Sequence, residues 1–139
     1  MKPALVAIAS FAALVACAGG AARRGAAAIE EYQPYVGSPV ASAHFFRLDG
    51  WAAVDDTHVV IYTTVNTAYL VSVYGPCPEL AFTNRLGVTS TNGEISHFES
   101  LLVRGQQRCP IAELRLIDIK RMHADRAAER AAARAAAPH

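Results

Sequence analysis

His58-Val59-Val60-Ile61-Tyr62-Thr63-Thr64-Val65, then Asn66-Thr67, then Ala68-Tyr69-Leu70-Val71-Ser72-Val73-Tyr74 is the stretch that decides the fold of this chain. Both runs consist almost wholly of residues that suit a pleated, partly buried surface. The short break at Asn66-Thr67 predicts that the second run returns along the first. Asp55-Asp56-Thr57 before the pair reads as a turn by composition, and Gly75-Pro76-Cys77-Pro78 after it stops the returning strand.

Working outward, Phe45 to Val54 reads as a preceding strand, broken at Gly50. Leu86 to Thr89 and Glu94 to Phe98 flank Thr91-Asn92-Gly93. Asn-Gly is a strong hairpin signal because both central residues of a type I′ turn need positive φ. Ser100 to Arg104 and Ile111 to Ile119 complete the set. Strands at this spacing predict an all-β fold, a small antiparallel barrel or sandwich. A runner-up is an α+β domain in which Glu79 to Arg85 forms a short helix. The β domain is placed at residues 43–120.

The flanks differ in kind. Residues 17–42 are rich in Ala, Gly and Pro without periodicity and read as a flexible tether. Tyr32, Pro34 and Tyr35 are its candidates for docking on the domain. Residues 121–139 are alanine with interspersed charge and read as a helical or disordered tail. Arg126, Arg130 and Arg134 would line one side of such a helix. That stripe suits contact with anionic lipid or cell-wall polymer, but a solvated, fraying tail is the preferred reading.

The N-terminus sets the address. Lys2 precedes an apolar run from Ala4 to Val15, too short for the ~20 residues a membrane-spanning helix needs. Small residues follow, which is the plan of a secretory signal peptide over residues 1–16. Leu14-Val15-Ala16-Cys17 resembles the lipobox of bacterial lipoproteins, in which the cysteine is acylated and becomes the first residue. Ala16-Cys17-Ala18 also fits an ordinary cleavage site, which would release a soluble periplasmic or secreted product. Ala18, in place of Asp, goes with the outer membrane in the sorting rule this motif resembles. The chain is therefore expected in a bacterial envelope, anchored to a membrane through Cys17.

Three cysteines in an exported chain call for one to stand apart. With Cys17 lipidated or removed, Cys77 and Cys109 remain as one pair. Neither belongs to a C-x-x-C motif, so a structural disulfide is expected. Closing a loop of that length stabilises a fold by roughly 3–4 kcal/mol in the chain-entropy model.

Charge points to no polyanion. The 13 basic and 12 acidic residues nearly balance, and the concentrated basic face of a nucleic-acid binder is missing. There is no G-x-S-x-G, H-E-x-x-H, P-loop or dinucleotide fingerprint. No cofactor or metal is expected. His58 near Asp55 and Asp56 is the one grouping that suggests a metal site or an oriented base; a turn followed by an exposed strand-end histidine is the preferred explanation. Glu79, Glu94 and Glu99 are candidate acid–base carboxylates or ordinary rim residues. Trp51, Tyr62, Tyr69 and Phe98 would line a pocket or fill a core.

Gly50-Trp51, Asp55 to Thr63, Ala68-Tyr69-Leu70-Val71, Gly75-Pro76-Cys77-Pro78-Glu79-Leu80, Val88-Thr89-Ser90 and Arg108-Cys109-Pro110-Ile111 follow the lipobox in order. This arrangement resembles a family of small bacterial lipoproteins classed only as a domain of unknown function. The likeness covers roughly His44 to Ile119, with the tail after Lys120 outside it. It implies export and lipidation and no particular activity. The preferred function is a non-enzymatic envelope lipoprotein that binds a partner protein or helps maintain the envelope; the alternative is a small ligand-binding or hydrolytic β-barrel with a pocket near Trp51 and Tyr69.

Overall fold

The computed structural model describes residues 28–138. Residues 28–32 are helical (α1), and a 3₁₀ turn follows at Gln33–Tyr35. Nine strands come next: β1 (Val36–Val40), β2 (Ser42–His44), β3 (Gly50–Ala53), β4 (His58–Thr64), β5 (Thr67–Val73), β6 (Leu86–Val88), β7 (Glu94–Ser96), β8 (Ser100–Val103) and β9 (Gln107–Ile117). Helix α2 (Ile119–Ala136) ends the described chain. A second 3₁₀ turn, Leu80–Phe82, lies where a short helix was the runner-up expectation.

The predicted central pair forms. β4 and β5 are antiparallel, with Val60 opposite Leu70 and Ile61 opposite Tyr69. β5 pairs with β9, and the main sheet runs β3-β4-β5-β9-β8-β6, with β1 also on β9. The sheet is antiparallel, nearly closed and barrel-like. β9 changes partners along its length: Gln107–Pro110 pairs with β8, and Ile111 onward pairs with β5. Pro110 falls at that changeover. It has no N–H to offer a ladder, and its carbonyl accepts from the Tyr74 N–H at 3.0 Å.

Two cores lie on opposite faces of β4 and β5. The inner core gathers Val59, Ile61, Val71, Ile95, Leu101, Ile111 and Leu114 inside the curved sheet. The outer core gathers Val60, Ala68, Leu70 and Ile117 under Ile119 and Met122 of α2, with Ile29, Tyr32, Tyr35 and Val36 packed against it. Val59, Val60 and Ile61 are all fully buried. A strand buried on both faces loses the polar alternation of a one-sided strand, which is why Val59-Val60-Ile61 shows no alternation.

Cys77 and Cys109 form a disulfide within the inner core, 1% and 4% exposed. It ties the connection after β5 to β9 and closes a sequence separation of 32 residues.

Four expectations are corrected. The folded unit begins by residue 28, so the segment to residue 42 is not all tether. β1, Val-Gly-Ser-Pro-Val, takes the free edge of β9, with Val36 opposite Ile117 and Val40 opposite Leu114. It is an edge strand, where proline is tolerated. The tail after Lys120 is also part of the fold at its base. Asp118 caps α2 by accepting from the Arg121 N–H at 3.0 Å, and Ile119 and Met122 are buried. Finally, Asn92 and Gly93 do adopt φ of 55° and 74°, but the strands flanking them do not pair. β6 pairs with β8, and β7 pairs with β2 as a separate ribbon. The first strand is likewise shorter than expected, since only Gly50–Ala53 of the span from Phe45 to Val54 is extended into the sheet.

The expected signal peptide, the expected lipobox at Cys17 and both candidate cleavage sites lie outside the described residues.

Candidate functional site

The outer face of the sheet carries side chains in three cross-strand rows. Tyr62, Ala68 and Ile117 align in the first, and Val60, Leu70 and Arg115 in the second. The apolar members of both lie in the outer core. The third row is polar: His58 on β4, Ser72 on β5 and Glu113 on β9. A cleft of about 250 Å³ opens over it, walled by Ile29, Gln33, Val36 and Leu70 and bordered by Arg115.

His58 is held from behind. The Asp55 carboxylate accepts from the Thr57 N–H (2.7 Å), the Thr57 hydroxyl (2.8 Å) and the His58 N–H (2.7 Å). The His58 ring stands with Nδ1 at 3.0 and 3.1 Å from the two Asp55 oxygens. A carboxylate only accepts, so the Nδ1–H tautomer fits this contact. Partial burial opposes ionisation of Asp55, but the bonds from Thr57 and His58 outweigh it and hold the carboxyl below its ordinary range. The turn expected at Asp55-Asp56-Thr57 is thus the device that fixes the imidazole. Asp56 takes no part in it; its carbonyl accepts from the Cys77 N–H at 2.7 Å.

Ser72 is opposite His58 in the β4–β5 register. The Val73 N–H donates to the Thr57 carbonyl at 3.0 Å. His58 and Ser72 are therefore a non-hydrogen-bonded pair, the kind with its Cα atoms closest, about 4.5 Å apart. On the other side of Ser72, Arg115 Nε donates to Glu113 Oε1. These two residues are i and i+2 on one strand, so they share a face.

A second, wider cleft of about 560 Å³ lies between α1 with its 3₁₀ turn and α2. The Tyr35 hydroxyl donates to Asp125 Oδ2 at 2.9 Å across it. That hydrogen bond, with burial and the nearby acids, raises the Tyr35 pKa above its ordinary value. Arg126 pairs with Glu31 and sits 5.9 Å from the Tyr32 ring centroid. The arginine stripe is therefore divided. Arg126 serves the fold, while Arg130 and Arg134 are exposed.

The other candidates do not converge. Trp51 and Tyr69 pack against the inner core and line neither cleft. Tyr62 belongs to the outer core, and Phe98 is exposed. Glu79 pairs with Arg104 at 3.1 Å, and Glu94 with His44 at 2.9 Å. Glu99 accepts from the Thr89 and Thr91 hydroxyls, and those bonds lower its pKa. Ser72, Glu113 and Arg115 escaped the sequence reading. Their signal was a polar residue inside an apolar strand, and a polar pair two apart that must share a face.

Among the described residues, no group of three or more His, Cys, Asp or Glu is placed to hold a metal ion, and no helix is long and apolar enough to cross a membrane.

No curated protein and no solved structure matches this sequence. A family profile does, and its reach extends past the stretch from His44 to Ile119 that carried the resemblance. It takes in part of α2, which had been expected to fall outside. The profile of a family of unknown function (DUF6491) matches residues 1–133, and the chain belongs to that family.

Proposed function

We propose that this chain is an exported, lipid-anchored envelope protein whose β domain is a non-enzymatic binding or structural module. The observation that carries the reading is the Cys77–Cys109 disulfide closed inside the core. Such bonds persist in oxidising compartments and are rare in the cytosol. They agree with the export plan of residues 1–16 and with a lipid on Cys17. Ala18 favours the outer membrane, with the domain facing the periplasm and an envelope protein as partner.

The interior supports binding at the surface. Ile61, Leu80, Ile95, Leu101, Ile111 and Leu114 are fully buried in a packed core, whereas Phe46, Phe82 and Phe98 stand exposed. A second reading, a small ligand-binding or hydrolytic barrel, draws on the Asp55–His58 pair opposite Ser72. Its place is the outer face of the sheet, and the inner-face Trp51 and Tyr69 have no part in it.

Metabolic labelling with palmitate tests the anchor. Wild type is expected to carry label in the membrane fraction, and Cys17→Ala to lose it. An unlabelled wild type overturns the lipid-anchored reading.

A further inference from the structure

We infer that the cleft over His58, Ser72 and Glu113 binds a small, uncharged, polyhydroxylated ligand of about one sugar ring. The proposal builds on the binding-module reading and is independent of the lipid on Cys17.

Charge argues for a neutral ligand. Each carboxylate at the cleft is already answered. Asp55 is occupied by Thr57 and His58, and Glu113 by Arg115. An ionic ligand would have to break one of these pairs to find a counter-charge. Hydrogen-bonding capacity nevertheless remains. The Ser72 hydroxyl both donates and accepts, and so does the Gln33 amide. Arg115 bonds Glu113 through Nε and keeps its terminal NH₂ groups, while Glu113 keeps a second oxygen. No described residue hydrogen-bonds His58 Nε2. Donors and acceptors interleaved at short range, with the Glu113 and Arg115 charges cancelling, match a row of hydroxyl groups.

Hydrocarbon borders the polar row. Leu70 lies beside it on the same face of the sheet, and Ile29 and Val36 also line the cleft. A sugar ring has the same division, with hydroxyls around its rim and C–H bonds on its face. The volume of about 250 Å³ falls below the roughly 300–1,000 Å³ of pockets that take drug-sized ligands. That space suits one ring.

The site is also rigid where it matters. Three of its polar side chains rise from adjacent strands in fixed register, and Asp55 fixes the His58 ring from behind. Side chains mounted on strands and braced by a supporting shell hold ligand geometry better than loop residues do.

The test is an NMR titration of the ¹⁵N-labelled full-length chain with methyl glucoside and N-acetylglucosamine, and with the charged analogues glucosamine and glucuronate. The expected result is saturable shifts from a neutral sugar, centred on His58, Ser72 and Glu113, with the charged analogues weaker. Ser72→Val suits a strand and removes the central hydroxyl; it should weaken binding about tenfold, as loss of one good hydrogen bond does. Arg115→Met gives a second, independent variant with the same expectation. No saturable shift at tens of millimolar, undiminished binding in both variants, or tighter binding of a charged analogue would each overturn the proposal. A flat titration leaves the palmitate result untouched, and an absent lipid label leaves this site untouched.

Discussion

The Tyr35 hydroxyl donates to Asp125 at 2.9 Å, joining residues that are 90 positions apart in the chain. With Arg126 on Glu31 and Arg121 5.5 Å from the Tyr35 ring centroid, it binds both flanks of the β domain into one layer. That layer covers the outer face of the sheet and forms a wall of the cleft. Removing its acceptor charge has a direct readout. In Asp125→Asn, the Tyr35 phenol should titrate closer to its ordinary value of 10.0, because the carboxylate that disfavours the phenolate is gone. Tyrosine-selective NMR measures this, and an unchanged titration would break the link.

Met122 is completely buried in the outer core. Met122→Ala should destabilise the protein by about 2–5 kcal/mol, the usual cost of such a truncation in a packed core. Urea unfolding measures it. A loss below about 0.5 kcal/mol, ordinary for a surface substitution, would mean that α2 does not pack on the sheet in solution.

The disulfide closes a sequence separation of 32 residues. Loss of its constraint on the unfolded chain is expected to cost roughly 3–4 kcal/mol. In a domain of this size, with roughly 4 °C lost per kcal/mol, Cys77→Ser should lower the Tm by about 12–16 °C. A thermal melt of the oxidised protein against Cys77→Ser checks the figure.

Asp55 makes acid stability testable. Its folded-state pKa lies below the ordinary 3.8, so its contribution is fully present above that value. The contribution is lost as pH falls through the folded pKa, when the native carboxylate must take up a proton. Asp55→Asn should be less stable than wild type at neutral pH, by about 1 kcal/mol after allowing for solvent screening. The difference should shrink at acid pH. Denaturant unfolding of both proteins from pH 7 down to pH 2 measures the two curves, and parallel curves would refute the role given to Asp55.

The central hairpin was legible because β4 and β5 are buried on both sides and so hold almost nothing but strand formers. The same burial hid what lay on each side, since a run of strand formers without alternation does not say what covers it. β1 was not legible because Val-Gly-Ser-Pro-Val has no strand pattern of its own. It is extended because β9 offers a free edge and Val36 and Val40 find apolar neighbours. The Asn92-Gly93 turn was read correctly, but a turn fixes only its own residues. The flanking strands instead take distant partners, β6 on β8 and β7 on β2, which the turn does not specify. α2 looked like a solvated tail because its buried contacts are confined to Ile119 and Met122, ahead of a long exposed stretch. At the site, Asp55 and His58 were visible as neighbours in sequence. Ser72, Glu113 and Arg115 join them only through strand register, which pairwise spacing along the chain does not reveal.

The most direct test is the intact mass of the protein purified from bacterial membranes. The expected species begins at Cys17, carries diacylglycerol and acyl groups on that residue, and lacks two hydrogens because Cys77 and Cys109 are joined. A chain that retains residues 1–16, one that begins after Ala18 without lipid, or one with two free thiols would contradict it.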